Sequence, residues 1–222
     1  MSQEPFMRNR RMLIFLGLFA FTLSLSQGAA AQLASRPAEE WSKTLEAHDR
    51  VANLKMDEIV AKLGLKPGGS VADIGAGSGL FEVPLAKAVS PSGKVYAVDI
   101  DAGFFPQIKR KADEAHVTNV QTVLGKYTDP NLPAKNIDLV FFHDVLHHIE
   151  DRAAYLKSVS GYLTPSGRVV VIDYEPGMGP HKGHPDLEVS REQLATWMKN
   201  AGLKPSEDVK MFPDRYFLVY SK

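Results

Sequence analysis

The 222-residue chain contains no cysteine, which excludes disulfides, thiolate metal centres and a cysteine nucleophile together. It has no net charge, with 26 basic against 26 acidic residues, and no lysine or arginine run outside its N-terminus. A field that would gather nucleic acid or an acidic membrane surface is therefore missing, and no nucleic-acid partner is expected. Internal repeats and low-complexity tracts are absent too. With 44% hydrophobic and 23% charged residues, the chain can bury one sizeable core.

The longest apolar run, "MLIFLGLFAFTLSLS" from Met12 to Ser26, follows Arg8, Arg10 and Arg11 and precedes the small residues of "GAAAQ". Residues 1–31 thus have the layout of an export signal cleaved near Ala31, which predicts an exported, periplasmic protein. The alternative is an uncleaved anchor over residues 12–34. This segment is the one place where transient membrane contact is expected. The paired arginines of "NRRMLIF" loosely match signals of the twin-arginine route. Without residues 1–31 the charge is about −2.

From Trp41 to Leu65, apolar residues recur at three- and four-residue spacings, predicting a helical cap over residues 32–66. "LKPGG" then breaks the pattern. Beyond it, short apolar runs alternate with helical stretches. Strands are expected at 70–74, 95–98, 120–124, 137–142 and 168–173, and helices at 80–89, 104–116, 152–162 and 191–201. Such alternation implies a doubly wound, mostly parallel sheet. The runs "EDVKMF" and "RYFLVYS" are too close for a parallel crossover, so they read as a closing antiparallel hairpin. Pro84 conflicts with a helix capped at Ser78, so that helix should start later or bend.

Between the first strand and its helix stands "VADIGAGSGLF", with Gly75, Gly77 and Gly79 alternating. Glycines there allow positive φ and a ligand close to main-chain N–H groups. A dinucleotide would call for GxGxxG, but the sixth position from Gly75 is Leu80, which argues against a Rossmann oxidoreductase. Asp73 would repel a pyrophosphate and attract an ammonium or sulfonium group. Asp99 ends the second strand twenty residues after Gly79, where a ribose diol would be held. A ribose with a cationic tail describes S-adenosylmethionine.

Four stretches carry a resemblance: "VADIGAGSG", "GKVYAVDID", "NIDLVFFHDVLHHIED" and "LTPSGRVVVIDY". Over Pro67 to Lys222 the chain resembles the class I S-adenosylmethionine-dependent methyltransferases, and within them the small-molecule branch that includes ubiquinone and menaquinone methyltransferases. The resemblance implies a Rossmann-like seven-stranded sheet with a reversed C-terminal strand, over residues 67–222. It implies S-adenosylmethionine as cofactor and a small-molecule methyl acceptor. It places Asp73, Gly75, Gly77, Gly79, Asp99, Ile100, Gly125 and His143 at the cofactor. That branch carries an acid directly after the glycine ending the third strand. Here Lys126 follows Gly125, which leaves Asp129 to meet the adenine. A binding protein without turnover would share every one of these cofactor motifs.

His143, Asp144, His147 and His148 leave the fourth strand together, where an acceptor would approach. For proton removal His147 and His148 rank first, with His143, Asp144 and Asp173 behind them. His143 and His147 are four apart, a ligand spacing on a helix, but His143 belongs to a strand end and no metal site is expected. His181 and His184 lie in a Gly/Pro-rich loop that reads as a lid or a connector.

Overall fold

The computed structural model describes residues 36–222; the export and anchor readings of residues 1–31 and 12–34 lie outside the described residues. Among the described residues no helix is long and apolar enough to cross a membrane.

Seven strands form one sheet in the order β3-β2-β1-β4-β5-β7-β6. They are β1 (Ser70–Ile74), β2 (Lys94–Asp99), β3 (Val120–Leu124), β4 (Ile137–His143), β5 (Leu163–Tyr174), β6 (Lys204–Asp208) and β7 (Arg215–Ser221). The first five run parallel, and β7 is antiparallel to both β5 and β6. This is the Rossmann-like methyltransferase sheet with its reversed last strand. The hairpin link is longer than the two residues expected, because β6 ends at Asp208. β5 begins earlier than expected: its pairing with β4 steps from Leu163 to Arg168, so the "TPSG" corner is carried as a register shift.

The apolar strand runs have a simple cause. β1 and β4 lie inside the sheet and are covered on both faces, so their residues alternate between two apolar layers. Ala72, Ile74, Val140, Phe142, Val169 and Val171 face one layer. It is closed by α6 (Arg152–Ser160) and α7 (Arg191–Asn200) through Leu156, Val159, Leu194 and Met198. Val71, Leu139, Phe141, Val170 and Ile172 face the other, closed by α3 (Met56–Lys62) and α4 (Glu82–Val89). Caps fix two of these helices. Asp151 accepts from the Ala154 N–H at 3.0 Å, and Ser190 forms a capping box with Gln193.

α4 starts at Glu82, so Pro84 falls in its first turn, where a missing N–H removes no helical bond. The later start foreseen for this helix is what occurs. The expected N-terminal cap divides in two. α1 (Ala38–Leu45) and α2 (His48–Ala52) lie towards the cleft beyond the strand ends, with α1 against the 102–104 turn that precedes α5 (Phe105–Glu114). α3 instead belongs to the core: Ile59 and Leu63 are fully buried, and Arg168 donates to the Leu63 carbonyl at 2.7 Å.

Candidate active site

The strand order reverses between β2-β1 and β4-β5, and there the chain leaves the carboxyl ends of β1 and β4 in opposite directions. A crevice must open at such a point. It does, as a cavity of about 850 Å³ that reaches from Gly75, Asp99 and Gly125 to His147, His148 and His181. Trp41 and Leu45 of α1 roof it, and Phe104, Tyr155 and Ile149 add apolar wall. Beside it a smaller hollow of about 60 Å³ touches Asp73, Ser78, His143 and Asp144.

All three loop glycines have positive φ, of 73°, 51° and 80°. The space each leaves is used differently from the sequence expectation. A Cβ on Gly75 would lie 2.3 Å from a Val145 methyl, and one on Gly79 would lie 2.8 Å from Ile108. These two admit the protein's own side chains. Gly77 is the one turned towards the roof, where an added Cβ would lie 3.0 Å from Leu45, and its N–H donates to Asp99 Oδ2 at 2.8 Å. Asp99 Oδ1 accepts from the Asp101 N–H at 2.9 Å, so both oxygens are aimed before any ligand arrives. Burial raises the Asp99 pKa, and the N–H bonds from Asp101 and Gly77 partly restore it.

Sequence reasoning missed Glu82. It is 1% exposed, and neither of its oxygens meets a donor among the described residues. It lies against Asp73, and burial pushes Glu82 up to about 7 while burial and Glu82 together hold Asp73 well above the usual carboxylate range. Ser78 Oγ and His143 Nε2 are also buried without partners. A charged residue near the start of an amphipathic helix reads as a solvated first turn, so the sequence offered no signal for Glu82. His143 packs its ring 5.0 Å from Phe81, and burial lowers its pKa to about 4.

At the far end of the cavity, Asp144 stands in left-handed backbone with φ of 56°. Its Oδ2 receives Arg50 from α2 at 3.1 Å, which latches the roof to the end of β4. Burial would raise the Asp144 pKa, but His143, His147 and Arg50 outweigh it and lower it. The 146–148 turn presents His147, 2% exposed, whose Nδ1 bonds both oxygens of Asp173 at 2.8 and 3.0 Å. Burial alone would lower the His147 pKa, yet the hydrogen bond and charge of Asp173 raise it. Its Nε2 is buried with no partner. His148 and His181 stack beside it at centroid distances of 4.2 and 4.5 Å. Burial, then His147 and His181, bring His148 down to about 3.

Of the residues expected at the cofactor, Gly75, Gly77, Asp99, Ile100 and Gly125 line the large cavity, Asp73 and His143 line the smaller hollow, and Gly79 packs behind the loop. Asp129 is the exception. Its oxygens accept from Ser158, Tyr162 at 2.8 Å and the Asn131 N–H at 2.6 Å, which fastens the β3 exit loop to α6, and it is absent from the cavity wall. Lys126 and Tyr127 line that wall instead.

Residues 72–171 match a family model described as a methyltransferase domain. Among curated relatives, the ubiquinone/menaquinone biosynthesis C-methyltransferase of Hahella chejuensis is 28% identical over 123 residues, 54% of this chain and 49% of that protein. The chain spans about half the length of such curated relatives. A solved SAM-dependent methyltransferase from Aquifex aeolicus superposes with a TM-score of 0.74 at 21% identity, covering 84% of this chain and 98% of that one. A Burkholderia thailandensis 1,6-didemethyltoxoflavin-N1-methyltransferase, solved with its namesake compound and S-adenosylhomocysteine, gives 0.64 at 20% identity, covering 88% and 90%. These two likenesses show the fold. Over residues 72–171 the chain matches the methyltransferase-domain model, and its fold is that of the solved S-adenosylmethionine-dependent methyltransferase. The Burkholderia structure holds S-adenosylhomocysteine, the product that S-adenosylmethionine leaves on giving up its methyl group.

The side chains present fit that molecule. Asp73, Ser78 and His143 surround the small hollow with acceptors and a donor for an amino-acid tail, and Asp99 offers a charged acceptor to a diol.

Proposed function

We propose that the protein transfers a methyl group from S-adenosylmethionine to a small, mainly apolar acceptor bearing one removable proton, bound beneath α1 and facing His147. The continuity of the cavity from Asp99 to His147 carries this reading. Bound S-adenosylmethionine supplies a methyl group made electrophilic by its sulfonium. The chain's share is placement and proton removal. Asp99 holds the ribose, and Asp73, backed by the buried Glu82, holds the ammonium end. Asp173 on Nδ1 keeps the free lone pair of His147 on Nε2, the atom that takes the acceptor's proton. Trp41, Leu45 and Phe104 exclude water above it. The test is methyl transfer from labelled cofactor to a panel of small phenols, quinols and heteroaromatic amines; failure of all three classes with cofactor binding intact would favour the non-catalytic alternative.

Two binding results are expected. Asp99→Ala should weaken S-adenosylmethionine binding by about 1.5–3 kcal/mol, roughly 10- to 150-fold, through loss of a charged acceptor. Calorimetry would show this, and an unchanged Kd in a folded variant removes Asp99 from the site. Cofactor affinity should also rise with pH. Below about pH 7 the free protein keeps a proton on the Asp73–Glu82 pair, and an arriving ammonium favours its release. Binding therefore releases protons near neutrality and tightens as pH climbs past 7; calorimetry in buffers of different ionisation enthalpy measures it. The sign for folding is opposite. With folded pKa values raised, these acids contribute stability below about 4.5 that is lost as pH rises towards 7. Lys111 and Asp99 are the other charges acting on Glu82.

Export of the chain belongs to the same proposal. Cleavage after Ala31 leaves Arg36 and Trp41, which line the cavity, in place. N-terminal sequencing of protein from its native host should begin at or near Gln32 in the periplasmic fraction, and Arg10→Lys with Arg11→Lys should block passage by the twin-arginine route. An intact Met1 overturns the cleavage reading.

A further inference from the structure

Three imidazoles meet at the acceptor end of the cavity, and the two from the 146–148 turn are joined by His181 from the loop after β5. One ring nitrogen from each lies within 4.8 Å of the others. Two of the candidate nitrogens, His147 Nε2 and His148 Nδ1, are buried and have no hydrogen-bond partner among the described residues. Leaving buried polar atoms unpaired is costly, and three rings turned together pair poorly with one another because neutral imidazole offers one donor each. A cation with vacant coordination positions satisfies all three lone pairs at once. Asp173 on His147 Nδ1 supplies the carboxylate that metal-bound histidines commonly carry on their other nitrogen, which sets the tautomer and strengthens the donor.

We propose that His147 through Nε2, His148 through Nδ1 and His181 bind one divalent transition-metal ion of the zinc class, and that occupancy stops methyl transfer by taking the His147 lone pair. Three neutral nitrogens suit zinc, nickel or copper rather than magnesium or calcium, which favour oxygen. Cofactor binding is untouched, since the amino-acid and ribose ends lie at Asp73 and Asp99. Because His181 comes from a separate loop, the ion also pins that loop over the acceptor end. The inhibitory half rests on the function proposed above; the binding half does not.

Chelator-stripped full-length chain titrated with zinc chloride in a non-coordinating buffer should bind one equivalent. His181→Ala and His148→Ala should each weaken that binding by at least about tenfold, and Asp173→Asn by about 10- to 100-fold, while His184→Ala, on the same loop but outside the cluster, leaves it unchanged. His181 sits on the surface loop, so its variant keeps the test independent of core packing. Absence of a zinc site, or one indifferent to both His181→Ala and His148→Ala, overturns the proposal. In the second arm, zinc should abolish wild-type turnover reversibly with chelator while the Kd for S-adenosylmethionine stays within twofold. Zinc bound at the cluster with full turnover overturns the use of Nε2. Absence of turnover in metal-free protein that still binds zinc overturns the methyl-transfer reading and leaves the site standing.

Discussion

His147→Ala in metal-free protein is expected to lower kcat by roughly 10²- to 10⁴-fold, the usual contribution of a positioned acid–base group, with the Kd for S-adenosylmethionine changed less than twofold. The division follows from the layout. Nε2 of His147 faces the acceptor end, whereas the cofactor's holding groups lie at the ends of β1 and β2. Asp173→Asn should lose part of the same factor, because an amide no longer favours the proton on Nδ1 and frees the ring to turn. Single-turnover rates with excess cofactor separate chemistry from binding. A His147→Ala variant with near-normal kcat and a normal melting profile would remove the dyad from the reaction and leave alignment as the chain's whole contribution.

The second large effect falls on folding. Gly75→Ala should destabilise the protein by roughly 2–5 kcal/mol: left-handed backbone costs an alanine about 1–2 kcal/mol, and overpacking against Val145 adds about 1–3. Against a typical total of roughly 5–15 kcal/mol, this leaves little margin. Gly77→Ala, whose nearest neighbour is a flexible Leu45 methyl, should cost only about 1–2 kcal/mol from its backbone. Urea denaturation of the two variants decides it. Equal losses would mean that Val145 yields freely and that the loop's glycines serve conformation alone.

That contrast shows where reading a sequence stops. Alternating glycines behind Asp73 are visible in one dimension, because the turn from β1 to α4 is local and positive φ has a residue signature. What each missing Cβ makes room for is a contact with Val145 or Ile108, seventy and twenty-nine residues away, and spacing holds no record of it. Asp129 stands off the cavity wall for the same reason. Its place after Gly125 was legible, but Ser158 and Tyr162 of another element claim its oxygens.

Hydrophobic period and turn chemistry therefore determined the sheet, its reversed hairpin, the glycine loop and the acid that ends β2, since each depends on neighbours within a few residues or on burial of whole strands. Tertiary structure alone decided the rest. Glu82 reaches Asp73 because α4 starts three residues later than a Ser78 cap would place it. Arg50 meets Asp144 because α2 folds back across the cleft. His143, at the ligand spacing from His147, turns instead to Phe81, and the ring that joins His147 and His148 is His181, carried there by a loop whose composition says only that it bends. Side chains from distant segments converge because the strand order reverses between β1 and β4, and that reversal is a property of the packed sheet rather than of any stretch of sequence.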